Sequence, residues 1–204
     1  MNSIDDARLA EFNEIDVLEA WMESVAPDDI VWDIGAGIGV YTTAAGYISD
    51  SVYAFEPNPE NYRKTIETLE FNGVDASVCN FALGEENTKA SLSTKVISTG
   101  TRTQFSEQGE IEVHRGDKLE NIPKPDIVKI DVEGSEVEVI NGLEDYITDI
   151  DFLLIEVHGG RHDIKLRGHD RDEFYSRIEA AGFQINILSS VEGGNEHWAC
   201  VRDE

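Results

Sequence analysis

Short apolar runs alternate with amphipathic segments along most of the chain, and this alternation restricts the fold more than any other feature. Apolar runs bounded by turn residues predict strands at residues 30–34, 52–55, 76–83, 126–131, 151–157, 183–188 and 197–201. Helical periodicity predicts helices at residues 4–24, 40–47, 60–71, 135–141 and 171–181. The pattern favours an α/β fold with a mostly parallel, doubly wound sheet and an antiparallel C-terminal hairpin. Ligands of such sheets bind at the carboxyl ends of the strands.

The length of the chain indicates one folding unit. Its 204 residues are enough for one full hydrophobic core and few for two. We therefore predict a single domain over residues 1–204, with a helical lead-in at 1–27 and the sheet-containing core at 28–204. Residues 84–109, rich in small and polar types, predict a hairpin or a mobile loop. Together with a polar loop at 159–170, they are expected to shape a substrate pocket.

The charge balance is strongly acidic. The chain has 16 Lys and Arg against 42 Asp and Glu, a formal charge of −26. At molar salt the Debye length falls to about 3 Å and repulsion between exposed carboxylates is screened. We therefore expect the cytoplasm of a halophilic archaeon, with an ordinary acidic protein as the alternative. No basic stripe is present to hold phosphates, so no nucleic-acid partner is predicted. An anionic glycan would need a local cationic patch, for which the densest supply is Arg161, Lys165, Arg167 and Arg171.

Cysteines and apolar runs bear on the compartment. Cys79 and Cys200 are the only thiols, too few for a disulfide framework, which fits a reducing environment. The first eight residues contain no apolar signal region, and no apolar run approaches the roughly 20 residues of a membrane helix. A cytoplasmic protein without membrane insertion is expected. No pattern indicates the oligomeric state.

A glycine motif lies where the first strand meets the next helix. It reads Asp-Ile-Gly-Ala-Gly-Ile-Gly over residues 33–39. Glycines permit positive φ and let a ligand approach the backbone, while the helix that follows presents free N–H groups. Glu56 comes seventeen residues after Gly39, at the tip of the second strand. A carboxylate there can accept hydrogen bonds from both ribose hydroxyls of an adenosine.

The spacing of the glycines favours one cofactor over another. They run G-x-G-x-G, whereas the dinucleotide motif is G-x-G-x-x-G. The Asp33 carboxylate would repel a pyrophosphate and attract the ammonium of a methionine moiety, which favours S-adenosylmethionine. Two alternatives stay open: an NAD(P)-dependent oxidoreductase, which the absence of a Tyr-x-x-x-Lys motif disfavours, and a noncatalytic S-adenosylmethionine-binding module.

Several motifs in order resemble the FkbM-type S-adenosylmethionine-dependent methyltransferases. Besides the glycine motif they are residues 55–61 with Asn72, 82–84, 129–136 and 155–157. The resemblance implies a Rossmann-like class I methyltransferase fold and O-methylation of a hydroxyl on a sugar, glycolipid or polyketide-like acceptor. The acceptor that we predict is a sugar or glycan, or a small hydroxylated metabolite. The cofactor contacts that we predict are Asp33, Gly35, Ala36, Gly37, Glu56, Pro57, Asn80, Ala82 and Asp131. For Asn80 and Ala82, packing at a strand end is the alternative. Residues 114–119 depart from the family's Leu-Asp-Asp-Leu, so no role is carried over to them.

Charged residues at the end of the fourth strand are the candidates for chemistry. Lys129, Asp131 and Glu133 alternate with apolar residues and would face one side of an extended chain. A lysine inside a parallel strand needs a carboxylate partner, and Glu156 is the candidate. Asp131 is the first choice for contact with the acceptor or for the base, and Glu133 is the second. As alternatives, Asp131 caps the following helix, and Glu133 is a solvated acid.

The predicted catalytic residues are Asp131, Glu133, Glu156 and His158. His158 either accepts a proton near neutral pH or is a structural histidine. The same four side chains could hold Mg²⁺, but carboxylates are so common in this chain that no metal is predicted. Glu136 is expected to be a solvated acid, and the Trp side chains are expected to pack in the core. Tyr41 either reaches the cofactor or packs.

Overall fold

A computed structural model describes residues 15–93, 102–105, 110–160, 163–190 and 194–202. The helices within these ranges are α1 (Ile15–Ser24), α2 (Val40–Gly46), α3 (Pro59–Asn72), α4 (Glu136–Gly142) and α5 (Arg171–Ala180). The first strands are β1 (Ile30–Ile34), β2 (Ser51–Phe55), β3 (Ser77–Cys79), β4 (Ala82–Gly84), β5 (Thr88–Ser93) and β6 (Arg102–Phe105). The later strands are β7 (Ile111–Arg115), β8 (Ile127–Ile130), β9 (Phe152–Val157), β10 (Phe183–Ser190) and β11 (Glu196–Arg202).

Seven strands form the main sheet, in the order β10-β11-β9-β8-β1-β2-β3. Strands β9, β8, β1, β2 and β3 run parallel, and β11 and β10 add an antiparallel edge. Residues of α1 and α2 pack in one buried cluster, and residues of α4 and α5 pack in another. The predicted doubly wound sheet with its antiparallel hairpin is therefore confirmed.

One predicted strand is wrong in its extent. The chain does not run as a single strand over residues 76–83: it leaves the main sheet after β3 and enters a second sheet at β4. The side chain of Asn80 causes the break, because its Nδ2 donates to the carbonyl oxygens of Glu56 at 2.8 Å and Pro57 at 3.3 Å. These bonds hold residue 80 at the tip of β2 instead of letting it continue the ladder.

The second sheet has the order β4-β7-β5-β6. Strands β5 and β6 pair antiparallel, as the hairpin alternative for residues 84–109 predicts. Within that stretch residues 94–101 and 106–109 lie outside the described residues. Residues 1–14, which include the start of the helix predicted at 4–24, and the terminal residues 203–204 also lie outside them. In the described part of the chain, no helix combines the length and apolar character needed to cross a bilayer.

Residues 114–119, which depart from the family pattern, form a local network of ion pairs and hydrogen bonds. The Asp117 carboxylate is buried and accepts two hydrogen bonds of 2.8 Å from the Arg115 guanidinium. It also accepts a bond from the backbone N–H of Asp145 at 3.3 Å. These contacts join the end of β7 to the loop after α4, which is a structural role.

The three tryptophans pack in the core, as predicted. Trp21 and Trp32 are fully buried and Trp198 is 1% exposed. Trp32 lies in β1, the middle one of the five parallel strands, with its ring centre 5.0 Å from that of Phe55 and 6.2 Å from that of Tyr146. It therefore joins the sheet to the loop that follows α4.

Replacing Trp32 should strongly destabilise the chain. We expect Trp32→Ala to lower the free energy of unfolding by about 3–5 kcal/mol, because it leaves a large cavity. Phe71→Ala is the control: that ring is 88% exposed, so its loss should change stability by no more than about 0.5 kcal/mol. Denaturant unfolding at molar KCl measures both. Equal losses in the two variants would contradict this account of the core.

Candidate active site

The candidate site lies where the carboxyl ends of β1, β2, β8 and β9 meet. In the register of the sheet, Asp33 of β1 is opposite Lys129 of β8. Asp131 follows the last β8–β9 pair, Ile130 with Ile155, by one residue. The parallel strands therefore bring the glycine motif and the charged residues of two later strands to one edge, as their sequence positions predict.

The glycine motif is anchored to both neighbouring strands. The backbone N–H groups of Gly35 and Ala36 donate to the carbonyl of Phe55 at 2.9 and 3.2 Å. Gly35 has φ +84°, and a Cβ at this position would lie 1.8 Å from the carbonyl oxygen of Asp131. Gly37 has φ +59°, and a Cβ there would meet no atom of the described residues within 4 Å, so its backbone faces space that those residues leave open. The first glycine permits close packing and the second leaves room for a ligand.

Glu56 ties the tip of β2 to the glycine motif. Its two carboxylate oxygens accept hydrogen bonds of 2.8 Å from the backbone N–H groups of Gly37 and Asn58. The residue is 6% exposed. Burial raises the pKa of Glu56 to about 7, and the charges of Asp33 and Asp131 act in the same direction against the two backbone bonds. Each oxygen keeps acceptor capacity for a further donor, such as a ribose hydroxyl.

Two other predicted cofactor contacts are engaged within the protein. The Asn80 amide holds the backbone at Glu56 and Pro57. Ala82 begins β4 and packs in the small core of the second sheet with Ala90. Both positions thus have packing or positioning roles, and a contact with adenine stays a prediction.

Asp33 is fully buried beneath the glycine motif. The Thr42 hydroxyl donates to its Oδ2 at 2.6 Å, and Lys129 Nζ lies 3.6 Å from its Oδ1. Asp33 therefore joins β1 to α2 and β8. Its predicted attraction for the ammonium of a methionine moiety stays a prediction, since the nearest positive charge in this structure is Lys129.

Lys129 is buried between two carboxylates. Its Nζ is 3.3 Å from Asp131 Oδ2, 3.6 Å from Asp33 Oδ1 and 4.6 Å from the ring centre of Tyr41. Burial alone lowers the pKa of Lys129, but the charges of Asp131, Asp33 and Glu156 outweigh it and hold the pKa above its usual value. The expectation of a carboxylate partner is confirmed, but the choice of Glu156 is wrong, because Glu156 acts only as a third charge. Tyr41 packs against this ammonium.

The four predicted catalytic side chains come together around His158, which is 3% exposed. Its Nε2 is 3.6 Å from Glu133 Oε2, 3.6 Å from Glu156 Oε1 and 3.8 Å from Asp131 Oδ1. Its Nδ1 is 2.6 Å from Glu136 Oε1. Burial lowers the pKa of His158, but the hydrogen bond to Glu136 and the surrounding carboxylates outweigh it and raise the pKa to about 10. His158 is therefore an imidazolium at neutral pH in this arrangement.

Glu136 is a site residue that sequence reasoning missed. It was expected to be a solvated acid, but it is fully buried. Its Oε1 accepts from the backbone N–H of Gly134 at 2.9 Å and contacts His158, while Oε2 has no hydrogen-bond partner within the described part of the chain. Glu136 and His158 are 22 residues apart, in α4 and after β9, and no local pattern pairs them.

Glu133 reaches the cluster through a turn and not through an extended strand. Strand β8 ends at Ile130, and Glu133 has φ +55°, followed by Gly134 with φ +97°. A left-handed residue other than glycine is unfavourable and needs compensating contacts. Burial raises the pKa of Glu133 to about 7. Ser135, and not Asp131, precedes the first turn of α4, so the helix-cap alternative for Asp131 finds no support.

Glu156 is held by the last strand. In the sheet register it lies opposite His197, whose Nε2 is 3.7 Å from Glu156 Oε2. The Asn195 amide donates to Glu156 Oε1 at 2.9 Å and accepts from the N–H of Gly159 at 2.9 Å. Burial raises the pKa of Glu156, but the bond from His197 and the charges of His158 and His197 outweigh it and lower the pKa. Asn195 and His197 are further residues that sequence reasoning missed.

Part of the predicted cationic patch is already paired. Arg167 Nη1 lies 3.3 Å from Glu138, and Arg171 Nη1 lies 3.2 Å from Glu196. Lys165 is exposed, and Arg161 lies outside the described residues. The role of this patch in binding an anionic glycan stays a prediction.

A comparison with protein families identifies the chain. The family described as "Methyltransferase FkbM domain" matches residues 33–185. The chain belongs to the FkbM methyltransferase family. A relative, hexuronic acid methyltransferase AglP of Haloferax volcanii, is 29% identical over 152 residues, which are 72% of this chain and 63% of the relative. The matched part thus spans less than two thirds of that relative.

Solved structures with the same fold extend this comparison. The FkbM methyltransferase of Methylobacillus flagellatus has a TM-score of 0.62 at 17% identity, over 86% of this FkbM chain and 44% of that one. Magnesium protoporphyrin IX methyltransferase of Synechocystis, solved with bound S-adenosylmethionine, has a TM-score of 0.59 at 14% identity, over 100% of this chain and 85% of that one. At these identities the likeness shows the fold, that of Rossmann-like class I methyltransferases.

Because Gly35 lies so close to the Asp131 carbonyl, replacing it with alanine should destabilise the protein. Gly73 also has positive φ, +65°, but a Cβ there meets no atom within 4 Å. Gly73→Ala should therefore lower the free energy of unfolding only by the strain of a left-handed alanine, about 1–2 kcal/mol. Gly35→Ala should lower the free energy of unfolding by clearly more, since the Asp131 carbonyl must move. Denaturant unfolding at molar KCl compares the variants, and equal losses would refute the packing role of Gly35.

Proposed function

We propose that this FkbM-family chain is an S-adenosylmethionine-dependent O-methyltransferase whose acceptor is a hydroxyl of a sugar or glycan. The observation that carries the proposal is the buried Glu56 carboxylate, fixed by Gly37 N–H beside an open backbone. Family membership favours this function over a nicotinamide-dependent oxidoreductase. The name of the Haloferax relative, a hexuronic acid methyltransferase, supports a sugar acceptor. A single domain over residues 1–204 and a cytoplasmic location stay predictions.

The residues around the glycine motif fit the cofactor. Glu56 has acceptor capacity for the ribose hydroxyls, and the backbone at Gly37 leaves space for a ligand. Ala36 and Pro57 flank these contacts in sequence. Bound S-adenosylmethionine supplies a methyl group on a sulfonium, which makes transfer mainly a matter of placing the acceptor oxygen in line.

Asp131 is the residue that we assign to the acceptor hydroxyl. Its side chain is 31% exposed and that of Glu133 is 28% exposed, whereas those of His158 and Glu156 are 4% and 17% exposed. The two more open carboxylates can contact an acceptor, with Asp131 orienting the hydroxyl and accepting its proton and Glu133 as the second choice. His158 and Glu156 then hold these carboxylates in place. The acidic surface favours a sugar over a nucleic-acid acceptor.

Calorimetric titration at molar KCl tests the cofactor. We expect S-adenosylmethionine and S-adenosylhomocysteine to bind and NAD not to bind. Glu56→Gln should weaken binding by roughly 10–100-fold, because a hydrogen bond to a charged group contributes about 1.5–3 kcal/mol. Gly37→Ala should also weaken binding, whereas Gly73→Ala, with the same change at a distant positive-φ position, should not. Binding of NAD alone would overturn the proposal, and so would unchanged affinity in Glu56→Gln.

The same titration should depend on pH. Ribose hydroxyls donate to the ionised carboxylate, and Glu56 has a pKa of about 7 in the free protein. Below that pH the carboxyl is protonated and must lose its proton on binding, so affinity should fall by roughly tenfold from pH 8 to pH 6. Glu56→Gln lacks the titrating group and should show only the pH dependence of the ligand. Equal slopes in the two proteins would contradict this assignment of Glu56.

Methyl transfer to sugars tests the acceptor. With radiolabelled S-adenosylmethionine at saturating concentration, we expect label on oligosaccharides that contain hexuronic acid and strongly reduced labelling by Asp131→Asn. The product should be an alkali-stable methyl ether. Release of the label by mild alkali would show an ester and refute transfer to a hydroxyl. Cofactor binding without transfer to any sugar offered would favour the noncatalytic alternative.

A further inference from the structure

The cluster around His158 contains more negative than positive charge. Five carboxylates, from Asp33, Asp131, Glu133, Glu136 and Glu156, surround two cations, Lys129 and His158, while His197 contacts the outer oxygen of Glu156. Isolated carboxylates are costly to bury, so an excess of this kind needs protons or a further cation. Glu136 adds a second observation: it is fully buried behind His158, and its Oε2 finds no hydrogen-bond partner among the residues that the structure describes.

We propose that Asp131, Glu156 and His158 bind a divalent metal ion, with Glu133 as a fourth ligand. One ligand atom from each of the first three lies within 4.8 Å of the other two. Glu133 Oε2 lies 3.6 Å from His158 Nε2. Ligands of an octahedral ion with bonds of about 2.1 Å are separated by about 3.0 Å when adjacent and about 4.2 Å when opposite. The separations of 3.6–3.8 Å from Nε2 fall within this range.

The side chains behind the ligands have the arrangement that supports a metal ion. A histidine that binds a metal through one nitrogen usually donates from the other to a carboxylate, which fixes the ring. Glu136 Oε1, 2.6 Å from His158 Nδ1, fills that position. Asn195 donates to Glu156, Lys129 Nζ lies 3.3 Å from Oδ2 of Asp131, and Oδ1 of the same carboxylate lies 3.8 Å from His158 Nε2. These contacts hold the ligands in place from outside the cluster.

The donor set selects the type of ion. Carboxylate oxygens suit Mg²⁺ and Mn²⁺, and an imidazole nitrogen favours the transition metal of the two. Mn²⁺ is therefore the best match, and water or an acceptor hydroxyl would complete its coordination. Since a coordinating nitrogen cannot keep its proton, binding releases one from Nε2. The proposal does not depend on the proposed function, although a metal ion here would also acidify a hydroxyl placed beside Asp131.

Titration of the full chain with Mn²⁺ at molar KCl, followed by the electron paramagnetic resonance signal of free Mn²⁺, tests the site. We expect one equivalent to bind, with affinity weakened by roughly tenfold or more in Asp131→Asn and in Glu156→Gln. Glu179→Gln removes the same charge from an exposed position on α5 and should bind as the parent protein does. Several weak equivalents with the same affinity in all four proteins would mean adventitious binding to the acidic surface and would overturn the proposal.

A nitrogen hyperfine coupling shows whether His158 coordinates the metal ion or only lies near it. Bound Mn²⁺ should show a nitrogen hyperfine coupling, which His158→Gln should abolish; thermal unfolding confirms that the variant is folded. One bound equivalent without a nitrogen coupling would overturn the assignment of His158. Calorimetric titration with S-adenosylhomocysteine in EDTA tests the cofactor separately, so that failure of the metal site and failure of the proposed function give different results.

Discussion

The buried ammonium of Lys129 is the interaction on which the site depends. It lies between Asp33 of β1 and Asp131 at the end of β8, and the sheet register places Lys129 directly opposite Asp33. Removing either carboxylate would leave a buried charge without its partner, a situation that typically costs about 3–5 kcal/mol. The pair therefore fixes the relative positions of the glycine motif and the acidic cluster. Tyr41, whose ring lies beneath the same ammonium, adds α2 to this arrangement.

Backbone contacts of the glycine motif also hold the two sides of the site together. Gly35 lies so close to the carbonyl of Asp131 that no side chain fits between them. On the other side, Glu56 accepts the N–H of Gly37 and so joins the tip of β2 to the same loop. The cofactor side and the acceptor side of the site are thus connected through three residues of one loop. Replacing Asp131 is expected to change the pKa of Glu56, because the charge of Asp131 raises that pKa.

Local patterns were sufficient to predict most strands of the main sheet, the glycine motif, and His158 with three of the carboxylates around it, because each follows from periodicity or from its place at a strand end. The sequence did not reveal Glu136, Asn195 or His197, since these act through contacts across 22 to 41 residues of chain that only the folded sheet creates. The partner of Lys129 was misassigned for the same reason: pairing in a parallel sheet depends on strand order and register. The break in the strand over 76–83 followed from one side chain, Asn80, which bonds to another strand.

The acidity of the surface and the acidity of the site have different consequences. The surface carboxylates are exposed and are screened by salt, so they bear on solubility and habitat. Those around His158 are partly or fully buried, so water screens them less and much of their charge must be balanced within the site. Under the proposed function, a carboxylate beside the acceptor loses its charge by accepting a proton while the sulfonium loses its charge by giving up the methyl group. In a poorly solvated site, a reaction that removes one charge of each sign avoids leaving either unpaired. The cluster is thus suited to a reaction in which the cofactor brings a positive sulfonium into the site and becomes a neutral thioether when the methyl group is transferred.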